Sequence, residues 1–384
     1  MLRFLTAGES HGPALVAIVE GLPAGLPIKI DDLTAELARR RLGFGRGPRM
    51  RFELDELEIV GGVRHGTTLG SPVAVMIRNT EWPKWVDEMS PAPGRTEHPL
   101  RQPRPGHADL VGMQKYGFDD ARNVLERASA RETAARVVAG TFAKLLLRHL
   151  GVDVLSHVIA MGTARSGSDQ RPTIDDLAAI DESPVRCFDA DAEGAMVEAV
   201  EAAAKAGDSL GGVVEVLAYG VPPGLGSHVH WDRRIDGLLA QALMSIQAMK
   251  GVEIGDGFTT AAQRGSEAHD EILWDADAAD YTRGSARAGG VEGGMTTGGL
   301  LVARLAMKPL ATLNRPVLRT VDVETKEATV SFKERTDVTA VPASGVVAET
   351  MTALVLAGEA LRKFGGDSLD EVVRNHDAYR ASLR

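Results

Sequence analysis

Residues 119–149, DDARNVLERASARETAARVVAGTFAKLLLRH, carry a helical pattern near the middle of the chain. Apolar side chains recur near the roughly 3.6-residue spacing of an α-helix, at Val124, Ala128, Ala135, Val138, Phe142 and Leu145. This periodicity predicts one long helix over the whole stretch. Further helical patterns cover residues 191–206, 232–249 and 346–364.

Strand-like runs surround this helix without alternating regularly with helices. They cover residues 54–60, 72–78, 152–162, 211–219, 299–307 and 317–332. A doubly wound sheet needs regular alternation, so this order favours an α+β fold. No glycine-rich turn joins a strand to a helix, so no Rossmann dinucleotide site is indicated. With 384 residues, 44% of them hydrophobic, the chain can bury a large core, in several domains or in one.

Arginine is clustered in a chain whose net charge is −10. The clusters are Arg39, Arg40, Arg41, Arg46, Arg49 and Arg51, then Arg95, Arg101 and Arg104, then Arg122, Arg127, Arg131 and Arg136. An acidic protein repels the phosphate backbone, which disfavours nucleic-acid binding. Guanidinium groups bind carboxylates and phosphates bidentately, so the clusters favour a small polyanionic ligand. For any single arginine, a solvated helix face is the alternative.

Several classes of protein are disfavoured by what the sequence contains. Cys187 is the only cysteine, so an intrachain disulfide is impossible and a cytoplasmic location is expected. The first residues contain no apolar stretch of a secretion signal. No run approaches the roughly 18 uninterrupted apolar residues of a membrane span. Cysteine and histidine do not occur at zinc-binding spacings, so no metal is predicted.

Residues 8–12, GESHG, match the G-x-S-x-G pattern of the nucleophile elbow in α/β-hydrolases. An elbow sits between a central strand and its helix, and seven preceding residues cannot build the sheet beneath it. We therefore interpret His11 as a proton donor or phosphate contact on a loop. An ordinary surface loop is the alternative.

Residues 90–106 are rich in proline, glycine and arginine, and they lead into RPGHAD at residues 104–109. Long loops in ordered domains typically bind ligands or act as lids. His107 is presented near the end of this loop, and Asp109 can orient its tautomer. An exposed histidine without a function is the alternative.

Two further segments have side chains or a backbone suited to an anion. Arg127 and Arg131 are i,i+4 neighbours and can face one ligand, with Glu126 or Glu132 as alternative counter-ions. The glycines of residues 289–299 let a backbone approach a phosphate or flat ring, unless they only form a hairpin turn.

These motifs, taken in this order, resemble the chorismate synthase family from end to end. Residues 8–12 look like its first signature, RASARET at residues 127–133 like its second, and RTDVTAVPA at residues 335–343 like its third. Other family-like positions are GFGR at residues 43–46, RPGHAD at 104–109, GGM at 293–295 and KP at 308–309. Several separated motifs in one order are a specific signal.

The resemblance implies a lyase that converts 5-enolpyruvylshikimate 3-phosphate to chorismate and phosphate by anti-1,4-elimination with reduced FMN. This is the last common step of the shikimate pathway to aromatic amino acids. The resemblance also implies one catalytic domain over residues 1–384, a β-α-β sandwich with helices between antiparallel sheets, and a homotetramer. A flavin reductase that supplies reduced FMN is a possible partner.

The resemblance also assigns roles to residues. His11 would protonate the departing phosphate, His107 would serve protonation near flavin N1, and Asp337 would relay a proton through flavin N5. Residues expected to bind the substrate, or NADPH in bifunctional relatives, are Arg40, Arg46, Arg49, Arg104 and Arg131. Residues expected to bind FMN are Arg127, Ala128, Ser129, Gln247, Ala248, Gly294, Lys308, Pro309, Leu310, Ala311, Thr312 and Arg335.

Three positions depart from the family pattern. Thr336 stands where serine is usual, Ala311 lacks a hydroxyl that is common in the family and expected to bind the flavin phosphate, and Pro48 stiffens the arginine loop. None of these changes removes a charged or acid–base residue. The alternative function is a flavin-dependent oxidoreductase on an anionic substrate, which would consume a reductant with turnover. The sequence leaves open whether the protein reduces its own flavin with NADPH.

Overall fold

The structure, a computed structural model, describes residues 2–47, 55–277, 279–332 and 336–383. Its helices are α1 (Ile30–Arg40), α2 (Asp109–Tyr116), α3 (Arg122–Ala128), α4 (Thr133–His149), α5 (Leu177–Glu182), α6 (Ala190–Ala206), α7 (Ile235–Met244), α8 (Gly257–Thr260), α9 (Gly265–Ala268), α10 (Val341–Phe364) and α11 (Leu369–Ser382). Its first strands are β1 (Arg3–Ala7), β2 (Ala14–Glu20), β3 (Glu56–Gly61), β4 (Val63–Arg64), β5 (Thr67–Thr68), β6 (Val73–Arg78), β7 (Asp153–Met161) and β8 (Ala164–Arg165). The later strands are β9 (Gly212–Tyr219), β10 (Met249–Ile254), β11 (Ile272–Asp275), β12 (Asp280–Arg283), β13 (Val291–Glu292), β14 (Met295–Thr296), β15 (Leu301–Met307), β16 (Arg319–Val321) and β17 (Ala328–Val330).

The first sheet is antiparallel, with strand order β1-β2-β6-β3. In β2 the side chains of Leu15, Ala17 and Val19 are buried, whereas Ile18 on the other face is exposed. This alternation is typical of a strand with one buried face. Strands predicted over residues 54–60 and 72–78 correspond to β3 and β6. The sequence pattern did not predict β1 or β2.

The second sheet is also antiparallel, with strand order β10-β15-β9-β7-β8. The strands predicted over residues 152–162, 211–219 and 299–307 are confirmed as β7, β9 and β15. A small separate core of Leu155, Ile180, Leu217 and Val302 lies between this sheet and α5.

Helices α1, α4 and α10 lie between the two sheets. α4 packs on β2 of the first sheet and on β7 of the second, and α10 packs on β7 and β9. At their crossing, a Cβ on Gly140 would lie 2.3 Å from the Cβ of Thr350, so only glycine permits this approach. The predicted class is confirmed, because the fold is α+β with helices between antiparallel sheets.

The single helix predicted over residues 119–149 is broken at Ser129, so that prediction was wrong. Ser129 has an extended ψ of 141°, and its side chain accepts a hydrogen bond from the backbone N–H of Arg131 at 3.2 Å. Serine competes with helical hydrogen bonding in this way and caps the short 3-10 turn Ala130–Glu132. Apolar spacing continues on both sides of the break, so periodicity alone does not reveal it.

Three other predicted boundaries also differ from the structure. The helix expected over residues 232–249 is α7, followed by strand β10 from Met249. The strand expected over residues 317–332 is the hairpin of β16 and β17. α10 begins at Val341, five residues before the predicted start, and α11 was not predicted.

Helix α10 is the most apolar long helix among the described residues. By length and composition it could cross a membrane, but 89% of its most apolar window is buried inside the protein. Such burial is typical of the core helix of a globular protein. In the described part of the chain, no other helix passes that test.

Candidate active site

A cavity of about 460 Å³ lies where loops from distant parts of the chain meet the start of α10. Its lining residues are Ser10, His11, Arg40, Arg46, Gly47, Trp85, Arg104, His107, Leu125, Ser129, Ala130, Arg131, Thr133, Ile246, Gln247, Met307, Leu310, Ala311, Thr312, Thr336, Asp337, Ala340, Ala343, Ser344 and Val347. This volume is within the roughly 300–1,000 Å³ of typical ligand pockets.

Twelve residues suggested by the sequence line this cavity. They are His11, Arg40, Arg46, Arg104, His107, Ser129, Arg131, Gln247, Leu310, Ala311, Thr312 and Asp337. Six others do not: Arg127, Ala128, Ala248, Gly294, Lys308 and Pro309. Arg49 and Arg335 lie outside the described residues. Side chains from both ends of the chain therefore meet at one cavity.

Three of these six residues make hydrogen bonds to other parts of the chain. The exposed Arg127 donates to the backbone carbonyl of Thr6 at 2.8 Å. The carbonyl of Gly294 accepts from the first N–H of α7 at 2.9 Å. The Nζ of Lys308 donates to the carbonyl of Gly106, which joins the end of loop 90–106 to the end of β15. These hydrogen bonds hold Arg127, Gly294 and Lys308 to parts of the chain outside the cavity lining.

His107, Asp109 and Arg104 form a compact group at the start of α2. The buried Asp109 carboxylate is bound by Nδ1 of His107 and by Nε and Nη2 of Arg104, at 2.8 and 3.1 Å. Burial alone would raise the pKa of Asp109, but the hydrogen bonds from His107 and Arg104 hold it well below its ordinary value. Asp109 therefore stays ionised and fixes the His107 ring. The Arg104 guanidinium also lies 5.0 Å from the ring centroid of Phe332.

His11 belongs to a second group, in which its partner comes from α3. Glu126 accepts from the backbone N–H of His11 at 2.8 Å and binds its Nδ1 at 2.9 and 3.0 Å. Arg122 donates to the same carboxylate at 2.9 Å and lies 4.9 Å from the ring centroid of Trp85. The Trp85 ring is 4.1 Å from the His11 ring. Burial would raise the pKa of Glu126, but hydrogen bonds and charge from His11, together with Arg122, lower it.

The GESHG segment at residues 8–12 does not have the geometry of a nucleophile elbow. It joins β1 to the antiparallel β2, whereas an elbow joins a strand to a helix. Gly8 has φ +97°, and a Cβ there would lie 2.2 Å from the carbonyl oxygen of Ala14. The tight turn therefore requires glycine, and it presents Ser10 and His11 to the cavity.

Arg131 and Arg40 are buried arginines that are held by neutral and acidic partners. Arg131 donates from Nε to Oδ1 of Asn79 at 3.1 Å and from Nη1 to Asp55 at 2.6 Å. Arg40 donates from Nε to the hydroxyl of Thr133 at 2.9 Å. Buried charges need such partners, and these contacts fix both side chains where they line the cavity.

A buried ionic cluster behind Arg40 fixes α1 against α10. The fully buried Glu349 accepts from Arg39 at 2.7 and 2.9 Å, from Lys144 at 2.9 Å and from Arg186 at 3.3 Å. Burial alone would raise the pKa of Glu349, but the charges of Arg39, Lys144 and Arg186 hold it well below its ordinary value. Because Arg40 follows Arg39 directly, this cluster also fixes the cavity wall.

Asp337 lies on the wall formed by the segment that precedes α10. Its carboxylate is 2.9 Å from Nη1 of Arg46 and accepts from the N–H of Gly47 at 2.6 Å. Burial lowers the pKa of the Arg46 guanidinium while Asp337 opposes this shift, and the group remains charged. Thr336 keeps the hydroxyl expected from serine, which donates to the Asp337 carbonyl at 3.2 Å.

Part of the lining fits a flat ring that carries N–H groups. Oε1 of Gln247 is buried and has no hydrogen-bond partner among the described residues. Apolar side chains of Ile246, Met307 and Leu310 line the same cavity. A flavin ring would supply both a donor for Gln247 and a surface for these side chains. Ala311 lines the cavity without a hydroxyl, as expected from the sequence.

Sequence reasoning missed Trp85 and the role of Glu126. Glu126 had been considered only as a counter-ion of Arg127 or Arg131, but it binds His11 and Arg122. One signal was available, because Trp85 is one of only four tryptophans and lies just before the long loop. No local pattern links residue 126 to residue 11.

The chain is similar to known proteins over its whole length. A family model described as chorismate synthase matches residues 2–361. The chorismate synthase of Leifsonia xyli subsp. xyli is 61% identical over 387 residues, covering 99% of this chain and 96% of that protein. That of Thermobifida fusca is 61% identical over 393 residues, covering 100% and 99%. A solved structure described as "Crystal Structure of Chorismate Synthase" has a TM-score of 0.80 and 40% identity, and covers 100% of this chain and 98% of its own.

Proposed function

This chain belongs to the chorismate synthase family of lyases, and from that premise we propose that it converts 5-enolpyruvylshikimate 3-phosphate to chorismate and phosphate with reduced FMN. The observation that carries the proposal is one cavity lined by Arg40, Arg46, Arg104 and Arg131 together with two histidines. The substrate has two carboxylates and a phosphate, and FMN has another phosphate. Buried guanidinium groups complement this charge and bind it bidentately.

The proposed reaction is an anti-1,4-elimination without net oxidation. The allylic C–O bond to phosphate breaks, a ring proton is lost, and a new C=C bond forms. Reduced FMN, which Gln247, Leu310 and Thr312 of the cavity lining would hold, would supply electron density for this elimination without net oxidation. The arginines hold the charged groups in a water-poor cavity, where each ionic contact is stronger than in bulk water.

His11 is the proposed acid for the departing phosphate. Its Nδ1 is bound by Glu126, so Nε2, the other ring nitrogen, is the proposed donor. Glu126 also accepts from the backbone N–H of His11, so the orientation of the ring is fixed by one carboxylate. His11 lines the same cavity as Arg40 and Arg131, so a phosphate held by these arginines would share that cavity with the proposed donor.

His107 and Asp337 are the proposed groups that handle protons on the flavin side. His107 is fixed by Asp109 and lines the cavity with Ala311 and Thr312. Asp337 has a partly accessible carboxylate held by Arg46. The buried Oε1 of Gln247, which has no hydrogen-bond partner among the described residues, supports binding of the flavin ring in this region.

The decisive experiment is an anaerobic assay of phosphate release with chemically reduced FMN, with and without NADPH, and with oxidised FMN plus NADPH. We expect phosphate and chorismate in equal amounts, with FMN still reduced at the end. Turnover supported by NADPH and oxidised FMN would show that the protein also reduces its own flavin. Consumption of reduced FMN in proportion to product would instead favour the flavin-dependent oxidoreductase. No phosphate release under any of these conditions would refute the proposal.

The assembly and location remain part of this proposal. We propose a cytoplasmic homotetramer of one catalytic domain, which receives reduced FMN from a flavin reductase where NADPH does not suffice. The outer face of the first sheet exposes Leu5, Ile18 and Val60, which suits burial against another subunit. Light scattering after size exclusion should give four times the chain mass of 40.8 kDa. A mass of one chain would contradict the tetramer.

A further inference from the structure

Asn79 lies directly after β6 and is almost completely buried. Its side-chain Nδ2 donates to the carbonyl oxygens of Glu9 at 3.1 Å and Gly12 at 2.8 Å. Its backbone N–H donates to the carbonyl of Pro13 at 3.1 Å. These acceptors lie on both sides of His11 in the loop between β1 and β2. Asn79 therefore holds the loop that carries His11 from both sides.

The other end of the same amide binds Arg131. Oδ1 of Asn79 accepts from Nε of Arg131 at 3.1 Å, while Nη1 of Arg131 is bound by Asp55 at 2.6 Å. A primary amide has two N–H donors and one acceptor oxygen, so it alone satisfies two carbonyls and a guanidinium at once. An aspartate there would keep the acceptor for Arg131 but lose both donors to the loop.

Asn79 also supports the aromatic partner of His11. The backbone carbonyl of Asn79 accepts from the N–H of Trp82 at 3.1 Å, in the turn that leads into the 3-10 turn Trp82–Lys84. The next residue is Trp85, whose ring lies 4.1 Å from the His11 ring. One buried residue is thus bonded to the His11 loop, to Arg131 and to the turn that leads to Trp85.

We infer that Asn79 is a positioning residue that holds His11 and Arg131 at a fixed distance from each other. An anion bound by Arg131 is then correctly placed to receive the proton from His11. This inference rests on the proposed function and deepens it. Asn79 does not itself line the cavity, so it acts through these two side chains. A shift of about 1 Å between a bound group and its catalytic partner can cost roughly 100-fold in rate.

Two variants distinguish the hydrogen bonds of Asn79 to the His11 loop from its hydrogen bond to Arg131. Asn79→Ala removes both links, whereas Asn79→Asp keeps the acceptor for Arg131 and releases the loop. We expect both variants to lower kcat by about 10–100-fold, since both misplace His11. KM for the substrate should rise in Asn79→Ala but stay within about threefold of wild type in Asn79→Asp, because hydrogen bonding to the Arg131 guanidinium persists.

A matched control is Asn375→Ala. The Nδ2 of Asn375 also donates to a backbone carbonyl, that of Phe364 at 2.9 Å at the end of α10, and Asn375 does not line the cavity. We expect this control to lower the thermal midpoint without lowering kcat. An equal loss of kcat in Asn375→Ala and Asn79→Ala would show that general destabilisation explains both, and would overturn the inference.

A double-mutant cycle with His11→Ala tests the coupling itself. If Asn79 acts through His11, Asn79→Ala should change kcat by less than about twofold once His11 is absent, because contacting residues are non-additive. If Asn79→Ala lowered kcat by the same factor in the wild type and in His11→Ala, the inference would be overturned.

Crystal structures of Asn79→Ala and Asn79→Asp test the inference even if the proposed reaction fails. We expect displacement of loop 8–12 in both variants and of Arg131 in the alanine variant only. Unmoved His11 and Arg131 in both structures would overturn the positioning role. Displacement without any phosphate release by the wild type would instead keep that role and refute the proposed function.

Discussion

Two histidines face the cavity in matching surroundings, but the chain assembles them in different ways. In each group a carboxylate binds Nδ1 of the histidine, an arginine binds the same carboxylate, and that arginine lies about 5 Å from an aromatic ring. His107, Asp109 and Arg104 lie within six consecutive residues. His11 and Glu126 are separated by 115 positions. The same chemistry thus arises once locally and once only through folding.

This difference explains which parts of the site the sequence could reveal. The pairing of His107 with Asp109 was predicted because neighbouring residues on one loop are close in any compact fold. The pairing of His11 with Glu126 depends on how the turn between β1 and β2 meets α3. No spacing rule encodes that contact, so the sequence offered Glu126 only as an alternative counter-ion of Arg127 or Arg131.

The largest effect is expected from removing either histidine. His11→Ala and His107→Ala should each lower kcat by about 10²–10⁴-fold, the usual range for a positioned acid or base. Anaerobic phosphate release with reduced FMN measures both. His230→Ala is the matched control, because His230 binds Asp232 at 2.9 Å but is exposed and does not line the cavity. Near-normal turnover in either variant would remove that histidine from the mechanism and break the parallel between the groups.

The next effect concerns the stability of the fold and tests the carboxylate of the His107 group, Asp109. Asp109→Asn should lower the free energy of unfolding near pH 7 by about 3–5 kcal/mol, because it leaves the buried Arg104 without its counter-ion. The pKa of Asp109 is depressed in the folded protein, so its carboxylate stabilises the fold above the unfolded value of about 3.9 and loses that effect as the pH falls further. Urea unfolding should therefore show a difference between variant and wild type that shrinks below about pH 4.

The control for this prediction is Asp377→Asn. Asp377 binds Nδ1 of His376 at 3.0 Å, but its side chain is 70% exposed. This change should alter the unfolding free energy by less than about 0.5 kcal/mol. A constant difference between Asp109→Asn and wild type from pH 7 to pH 3 would show that the carboxylate charge is not what stabilises the fold.

The fold shows the same division between local and distant information. Strands β7, β9 and β15 were predicted because each is a short run of mainly apolar residues. The break at Ser129 was missed because apolar spacing continues from α3 into α4, while a local hydrogen bond to the Arg131 N–H decides the backbone. The contact between Gly140 and Thr350 joins helices 210 positions apart and has no local signature. Periodicity identifies elements, whereas their ends and crossings depend on tertiary contacts.

A smaller effect is expected from Glu126→Gln in the His11 group. The variant keeps the side-chain shape but removes the charge that binds the N–H and Nδ1 of His11 and the guanidinium of Arg122. Hydrogen bonds to charged groups contribute about 1.5–3 kcal/mol, so kcat should fall by about 10–100-fold. KM should change little, because Glu126 does not itself line the cavity. A loss confined to KM would assign Glu126 to substrate binding instead.

The smallest effect is expected from the aromatic rings, where the two groups differ most clearly. Trp85 contacts both Arg122 and the His11 ring and lines the cavity, whereas Phe332 is 5.0 Å from the Arg104 guanidinium and does not line it. Ring contacts of this kind contribute about 0.5–1.5 kcal/mol, so Trp85→Leu should lower kcat about 2–10-fold. Phe332→Leu should change kcat less than Trp85→Leu does. Equal losses in the two variants, measured by the same phosphate assay, would show that ring contact with the histidine itself does not matter and that both rings act only through their arginines.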